Sequence, residues 1–294
     1  MTVPIDVSLV HRLIQSQFPQ WSALSIQPVE FSGWDNRTFH LGSEMTVRLP
    51  SDGFYALQVE KEQRWLPYLA SHLSLPIPTP LAQGEPTEDY PWHWSIYRWI
   101  EGQSASIARI DEMNRFAADL AQFLLQLQGI NARGGPLAGE HSFYRGGALS
   151  TYDAETQKAI KILRHQIDSG TLSSIWSKAL SEAWLSAPVW VHGDIAPGNL
   201  LVKEGRLCAV IDFGQLAVGD PACDLVIAWT FFKAESREVF RKTLQLDQAT
   251  WARARGWALW KALIVCARLP GTNPEDIDRS WKVIEELIAD YNSR

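Results

Sequence analysis

His192-Gly193-Asp194-Ile195-Ala196-Pro197-Gly198-Asn199, followed by Asp212-Phe213-Gly214, is the stretch that decides the fold. Pro188-Val189-Trp190-Val191 in front of it reads as a short apolar strand. Leu200-Leu201-Val202 and Leu207-Cys208-Ala209-Val210-Ile211 read as two buried strands, with Lys203-Glu204-Gly205-Arg206 as the hairpin turn between them. Asp194 and Asn199 therefore flank a loop that enters one strand, and Asp212 ends the next. Taken singly, Asp or Asn beside Gly or Pro is ordinary turn chemistry. Taken in this order, with strands between, the three side chains can converge at one edge of a small sheet.

Such a convergence suits one kind of chemistry. A carboxylate can accept the proton of an attacking hydroxyl. An amide oxygen and a second carboxylate suit a hard cation, and Mg²⁺ prefers oxygen ligands that it shares with substrate phosphates. The pattern H-x-D-x-x-x-x-N followed by D-F-G is the layout of phosphoryl transfer from a metal-bound nucleoside triphosphate.

At these residues the chain resembles the aminoglycoside phosphotransferase family within the wider protein-kinase-like group. The carrying segments are V-H-G-D-I-A-P-G-N-L-L-V (191–202) and A-V-I-D-F-G-Q-L-A-V-G-D-P-A-C-D-L (209–225). Similar proteins have H-G-D in place of H-R-D, and G-D-P-x-x-D-L soon after D-F-G. The resemblance runs over nearly the whole chain. It is specific for the superfamily and weakly so for substrate, since homoserine, choline, macrolide and sugar-amine kinases share these motifs. It implies an α+β, protein-kinase-like, two-lobed fold. Residues 1–101 would form a nucleotide-binding lobe, an antiparallel sheet with a helix. Residues 102–294 would form a mainly helical catalytic and substrate-binding lobe. By the same resemblance Asp194 would be the catalytic base, and Asn199 and Asp212 would hold Mg²⁺. His192 would brace the loop, and Asp220 and Asp224 would be structural acids tying the following helix to it.

Ile26–Phe31, Arg37–Leu41 and Met45–Leu49 read as strands of the first lobe. The turn-rich Ser32-Gly33-Trp34-Asp35-Asn36 lies where a phosphate-covering loop belongs. It has one glycine, so Ser32 and Asn36 are the expected side-chain contributors; an ordinary hairpin turn fits the same residues. Arg48 stands where a kinase places lysine, and arginine is bulkier and bidentate. A helical pattern (Leu57, Val59, Trp65, Leu66, Leu69, Leu73) carries Glu62 as the expected ion-pair partner of Arg48, with Glu60 as the competing choice. Leu75–Pro80 holds three prolines and ends the helix. Trp92–Ile100 reads as the last strand, closed by Glu101-Gly102. Adenine would meet backbone groups from Arg98 through Trp99 to Ile100, with Tyr97 beside the pocket.

The 294 residues suffice for two cores, and 46% hydrophobic with 20% charged residues is ordinary for a soluble globular chain. A net charge of −6 argues against a nucleic-acid partner. No signal peptide or membrane span is read. Three cysteines without paired spacing point to a reducing cytoplasm, not a disulfide or zinc framework.

In the second half, helices are expected over 107–128, 154–167, 172–185, 221–233, 237–243, 248–267 and 274–292, with a long loop at 131–147. A polycationic acceptor would need carboxylates, and the acidity of the chain permits a cationic substrate. The candidates are Asp153, Glu155, Glu235, Glu275, Asp276, Asp278, Glu285, Glu286 and Asp290, with Asp224 and Trp229 near the loop. The leading expectation is an ATP- or GTP-dependent, Mg²⁺-using phosphotransferase acting on a hydroxyl of a small molecule, an aminoglycoside-like antibiotic or related metabolite. A nucleotide-binding pseudokinase or regulatory module is the alternative, favoured by Arg48 and the thin glycine loop. A protein kinase fits poorly, because Gly219–Asp224 follows D-F-G too closely for an activation segment.

Overall fold

The computed structural model describes residues 3–30, 33 and 35–293. Helix α1 (Val7–Gln17) starts where the Asp6 carboxylate accepts the Leu9 N–H at 2.8 Å, and it buries Leu9, Val10, Leu13 and Ile14. Those side chains cover one face of a five-stranded sheet. Its strands are β1 (Ile26–Pro28), β2 (Asn36–Leu41), β3 (Met45–Pro50), β4 (Pro80–Gly84) and β5 (Trp94–Arg98), in the order β1-β2-β3-β5-β4 and all antiparallel. Phe39, Leu41, Val47, Leu49, Trp94 and Ile96 share the core with α1. Alternation along β3 sends Arg48 to the opposite face. Helix α2 (Gly53–Ala70), capped by Asp52, lies on that side and buries Gln58, Lys61 and Glu62 with its apolar residues. The charged chemistry of this half thus lies between sheet and helix.

Gly102 begins the passage into the second half with φ +155, and a Cβ there would come within 2.9 Å of Leu201 Cβ. Strand β6 (Gln103–Ser104) pairs with β8 (Leu200–Lys203), which pairs with β9 (Arg206–Val210); β7 (Val189–Val191) pairs with β10 (Ala217–Gly219). Around these strands pack α3 (Met113–Gly129), α4 (Asp153–Leu163), α5 (Ser169–Ser181), α6 (Ile227–Thr230), α7 (Ala234–Leu244), α8 (Gln248–Cys266) and α9 (Ile277–Asn292). Helix α8 is buried on nearly every side, from Trp251 to Cys266 with Lys261 as the exposed exception. Its two buried arginines are answered internally, Arg253 by Asp220 and Arg255 by Asp290. Asp290 accepts from Arg241 Nη1 at 3.0 Å, Arg255 Nε at 2.9 Å and Trp229 Nε1 at 3.2 Å.

An antiparallel N-terminal sheet with a helix, followed by a mainly helical part, is the expected α+β architecture. Several boundaries differ. The helix expected from 107 begins at Met113, because the Ser104 carbonyl gathers the Ile107 and Ala108 amides into a turn and Asp111 N–H is held by Gly205. The 221–233 helix is a 3-10 turn, Pro221–Leu225, followed by α6. Asp220 caps it through the Ala222 amide at 3.0 Å. The 172–185 helix starts three residues earlier because Asp168 accepts the Thr171 amide. Helix α1 and strand β4 have no counterpart in the sequence reading. Cys208, Cys223 and Cys266 are free thiols, and among the described residues no helix is long and apolar enough to cross a membrane.

Candidate active site

Strand β7 delivers the chain into His192, which is fully buried. The loop after it is fixed by one carboxylate. Asp224 Oδ2 accepts the His192 amide at 2.7 Å, and Asp224 Oδ1 accepts the Gly193 amide at 2.7 Å. His192 Nδ1 accepts the Asp194 amide at 3.1 Å, so its Nε2 is the nitrogen that donates to the Ile211 carbonyl at 3.0 Å. The imidazole thereby ties the Asp194 loop to the strand that ends in Asp212. Gly193 has φ +85, and a Cβ on it would sit 2.5 Å from the Gln215 carbonyl oxygen. Only glycine fits there.

Asn199, at the end of a 3-10 turn, donates its amide nitrogen to the Asp194 carbonyl at 2.9 Å and to Asp194 Oδ2 at 3.0 Å. Its side-chain oxygen is the atom left for other work. Asp212 has φ +66, a left-handed conformation that non-glycine residues rarely adopt. Its Oδ1 receives Arg48 Nη2 at 2.9 Å, and about a third of the side chain (34%) stays exposed. Burial raises the pKa of Asp194, and the nearby Asp212 charge adds to this; Arg145, His192 and Asn199 pull the other way. Burial also pushes Asp212 upward, but the Arg48 guanidinium outweighs it and leaves the carboxyl below its ordinary value. Two neighbouring acids are thus set apart, Asp194 shifted up and Asp212 shifted down.

Arg48 Nη1 lies 3.6 Å from Glu62 Oε1, while Glu60 is exposed and faces His93 at 3.7 Å. Tyr97 is buried and donates its hydroxyl to Glu62 Oε2 at 2.5 Å, with the Arg48 guanidinium 5.6 Å from its ring centre. It stands behind the ion pair. Asn36 is buried at the start of β2, opposite Pro50. Ser32 lies outside the described residues. The Arg98 amide is donated to Thr79 at 3.0 Å and the Trp99 amide to Glu44 at 2.7 Å. Sheet pairing and the turn before β3 use those two N–H groups, leaving the carbonyls and the Ile100 amide as the backbone groups of this stretch without such a partner among the described residues.

The sequence reading missed several side chains at the site. Asp35, in the turn before β2, has its pKa raised to about 6, by burial first and then by the Asp212 charge. Gln58 of α2 is buried against the D-F-G turn: a Cβ on Gly214 would lie 2.4 Å from its Oε1. Lys61 donates to the His141 carbonyl and contacts its Nδ1, both at 3.0 Å, and burial lowers its pKa to about 8. Arg145 reaches Gln215 Oε1 at 3.3 Å. Lys61 and Arg145 were hidden because the 131–147 loop reveals its contacts only once folded.

Of the acids considered for a substrate, several are committed elsewhere. Asp224 and Trp229 are buried and line no open surface. Asp290 is buried among arginines, Glu286 pairs with Arg237, Asp153 accepts Trp176 Nε1 at 2.7 Å, and Glu155 accepts Trp260 Nε1 at 3.0 Å. Glu235, Glu275, Asp278 and Glu285 are exposed, and Asp276 is half-buried, 3.6 Å from Arg279.

This arrangement of a loop acid, an amide partner, a left-handed D-F-G aspartate and an Arg–Glu pair agrees with what sequence comparison finds. The phosphotransferase enzyme family, APH, matches over residues 25–257. The chain belongs to that family and is a phosphotransferase. No curated protein matches the sequence significantly. Solved structures share the fold at low identity. The GDP complex of aminoglycoside 2'-phosphotransferase-IIIa has a TM-score of 0.73 at 18% identity, covering 98% of this chain and 100% of that one. The streptomycin–ATP complex of APH(2")-IIa has 0.62 at 19%, covering 97% and 99%. Macrolide 2'-phosphotransferase MphH from Brachybacterium faecium has 0.63 at 19%, covering 94% and 98%.

Proposed function

We propose that the protein transfers the γ-phosphoryl group of ATP or GTP to a hydroxyl of a small molecule. Acceptors of this kind range from aminoglycoside-type antibiotics to ordinary metabolites. The observation that carries the reading is Asp194 itself: a loop carboxylate held by Asn199, made a stronger proton acceptor by burial and the neighbouring Asp212 charge, beside an Asp212 whose pKa is lowered by Arg48. The division of labour falls at residues 101/102, with a nucleotide-binding lobe before it and a catalytic and acceptor-binding lobe after it. Neighbours titled as GDP, ADP and ATP complexes support nucleotide use.

The donor set fits Mg²⁺. Asn199 has its oxygen to spare, and Asp212 has a second oxygen beyond the one facing Arg48; both are hard ligands of the kind that cation shares with phosphates. When bound, the cation neutralises charge on the phosphate oxygens. Arg48, fixed by Glu62 and Tyr97, offers a guanidinium to the same phosphates. Asn36, at the start of β2, borders the phosphate-covering segment, and Ile100 makes the base contact with Arg98 and Trp99 beside it. Asp194 Oδ accepts the acceptor's hydroxyl proton as its oxygen bonds to phosphorus and the bond to the β-phosphate oxygen breaks. Gly193 and Asp224 keep that carboxylate from drifting.

Asp194→Asn tests this directly. It keeps the Asn199 contact and the fold but removes the proton acceptor. Acceptor-dependent ADP release should fall by roughly 10²-fold or more, with Mg-ATP affinity by calorimetry unchanged. Near-normal turnover would sink the assigned role.

A further inference from the structure

The side of Asp194 that faces the C-terminal helices carries positive charge without carboxylate partners. Arg145 lies on the 131–147 loop, pressed against the catalytic loop: a Cβ on Gly193 would be 3.1 Å from Arg145 Cβ. Its guanidinium rests over the rings of Trp257 and Trp260, 5.0 and 4.9 Å from their centres. Trp260 is in turn stacked on Tyr152 at 3.8 Å. Cation–π contact on two fixed rings holds the cation without neutralising it. Lys261 follows Trp260 on α8 and is the one exposed residue between 251 and 266. Among the described residues, neither Arg145 nor Lys261 has a carboxylate within 4.0 Å. Arg145 is thereby held beside the loop that carries Asp194. The charges facing Lys261 are Arg145, Asp194, Asp276 and Glu155.

A protein that received a polycation here would set carboxylates about the base. Of the other acids facing Lys261, Glu155 instead accepts the Trp260 N–H at 3.0 Å, and Asp276 lies 3.6 Å from Arg279. Resting on the phosphotransferase reading above, we infer that the acceptor is a hydroxyl compound bearing an anionic group, a carboxylate or phosphate, held by Arg145 and Lys261 beside Asp194. Two like charges close together are costly when empty and become favourable once an anion bridges them. The pair would also repel an ammonium at the same place, which excludes cationic acceptors as well as selecting anionic ones.

The test uses three pyranoses that differ in charge: glucuronate, glucose and glucosamine. Each is offered with Mg-ATP for turnover, and with Mg-ADP for binding by saturation-transfer NMR. Nucleotide affinity is measured in parallel by calorimetry. Glucuronate should be preferred over glucose, and glucose over glucosamine. Lys261→Glu, an exposed change on a buried helix, should lower the glucuronate-to-glucosamine ratio roughly tenfold or more. Arg145→Met should raise the KM for glucuronate with Mg-ATP affinity unmoved. Preference for glucosamine, a ratio untouched by Lys261→Glu, or no binding of any of the three beside bound Mg-ADP would overturn the inference. A loss confined to nucleotide affinity in Arg145→Met would do so too, by assigning the cation to the phosphates. Failure of wild-type protein to bind Mg-nucleotide is a separate result: it removes the phosphotransferase reading, and this inference with it.

Discussion

Asp224→Ala is the substitution whose cost can be worked from the structure. The carboxylate is fully buried and each of its oxygens receives a backbone amide at 2.7 Å, one from His192 and one from Gly193. Hydrogen bonds to a charged acceptor contribute roughly 1.5–3 kcal/mol each, and the amides left behind have no water to turn to. Two together give about 3–6 kcal/mol, a large share of the roughly 5–15 kcal/mol that holds a folded domain. For a long chain the midpoint should fall about 2 °C per kcal/mol, or roughly 6–12 °C. Urea denaturation followed by tryptophan fluorescence gives the free energy, and an unchanged slope would show that the unfolded state is not the cause. Asp224→Asn should recover only part of the loss, because an amide can accept one N–H but turns its own NH₂ toward the other. A change below about 1 kcal/mol for the alanine variant would refute the reasoning, since no buried charge-assisted pair should be so cheap to remove.

Two further outcomes follow from buried charge. Asp290→Ala would leave Arg241 and Arg255 buried with their common carboxylate gone; a loss of about 3–5 kcal/mol in denaturant unfolding is expected, with little change if the guanidinia reach solvent. Asp35 has a folded-state pKa of about 6 against 3.8, so the folded protein binds the extra proton between these values. Stability from this group falls as pH rises through that window, and the deficit is complete above it. Asp35→Asn should therefore stabilise the nucleotide-free protein at neutral pH, with the gain shrinking as pH drops toward about 4. Equal gains at both ends of the window, in urea titrations, would contradict this.

Some of this was readable in the sequence because it is local. The order of Asp194, Asn199 and Asp212 along the chain, with apolar runs between, is a pattern of neighbours, and the hairpin at 200–210 follows the apolar runs directly. The choice of Glu62 over Glu60 needed only helical geometry, since residues two apart point to different sides; the structure puts Glu62 beside Arg48 and Glu60 in solvent. What stayed hidden depends on distant contacts. Helix α1 is a short amphipathic segment whose apolar residues gain meaning only against Phe39 and Val47. Strand β4 begins at a proline and lies at the sheet edge, where period and propensity say little. Asp290 looks like a surface acid until Arg241 and Arg255, from two other helices, close on it. Arg145 sits in a loop with no periodicity, and its place depends on tryptophans more than a hundred residues further on.

That loop has a consequence for anyone wishing to redesign the enzyme. Between Gly139 and Gly147 the chain touches α2 through Lys61 and Phe54, the catalytic loop through Gly193, β10 at Gly219 and α8 through its tryptophans. Tyr152 anchors it by donating to the Phe143 carbonyl at 2.7 Å. It works as a tie between parts that would otherwise tilt independently. Grafting a foreign segment here to change what is phosphorylated would also reseat the helix that carries Glu62. Exchanging a single exposed side chain such as Lys261 leaves the tie in place, whereas replacing the segment disturbs every part it touches.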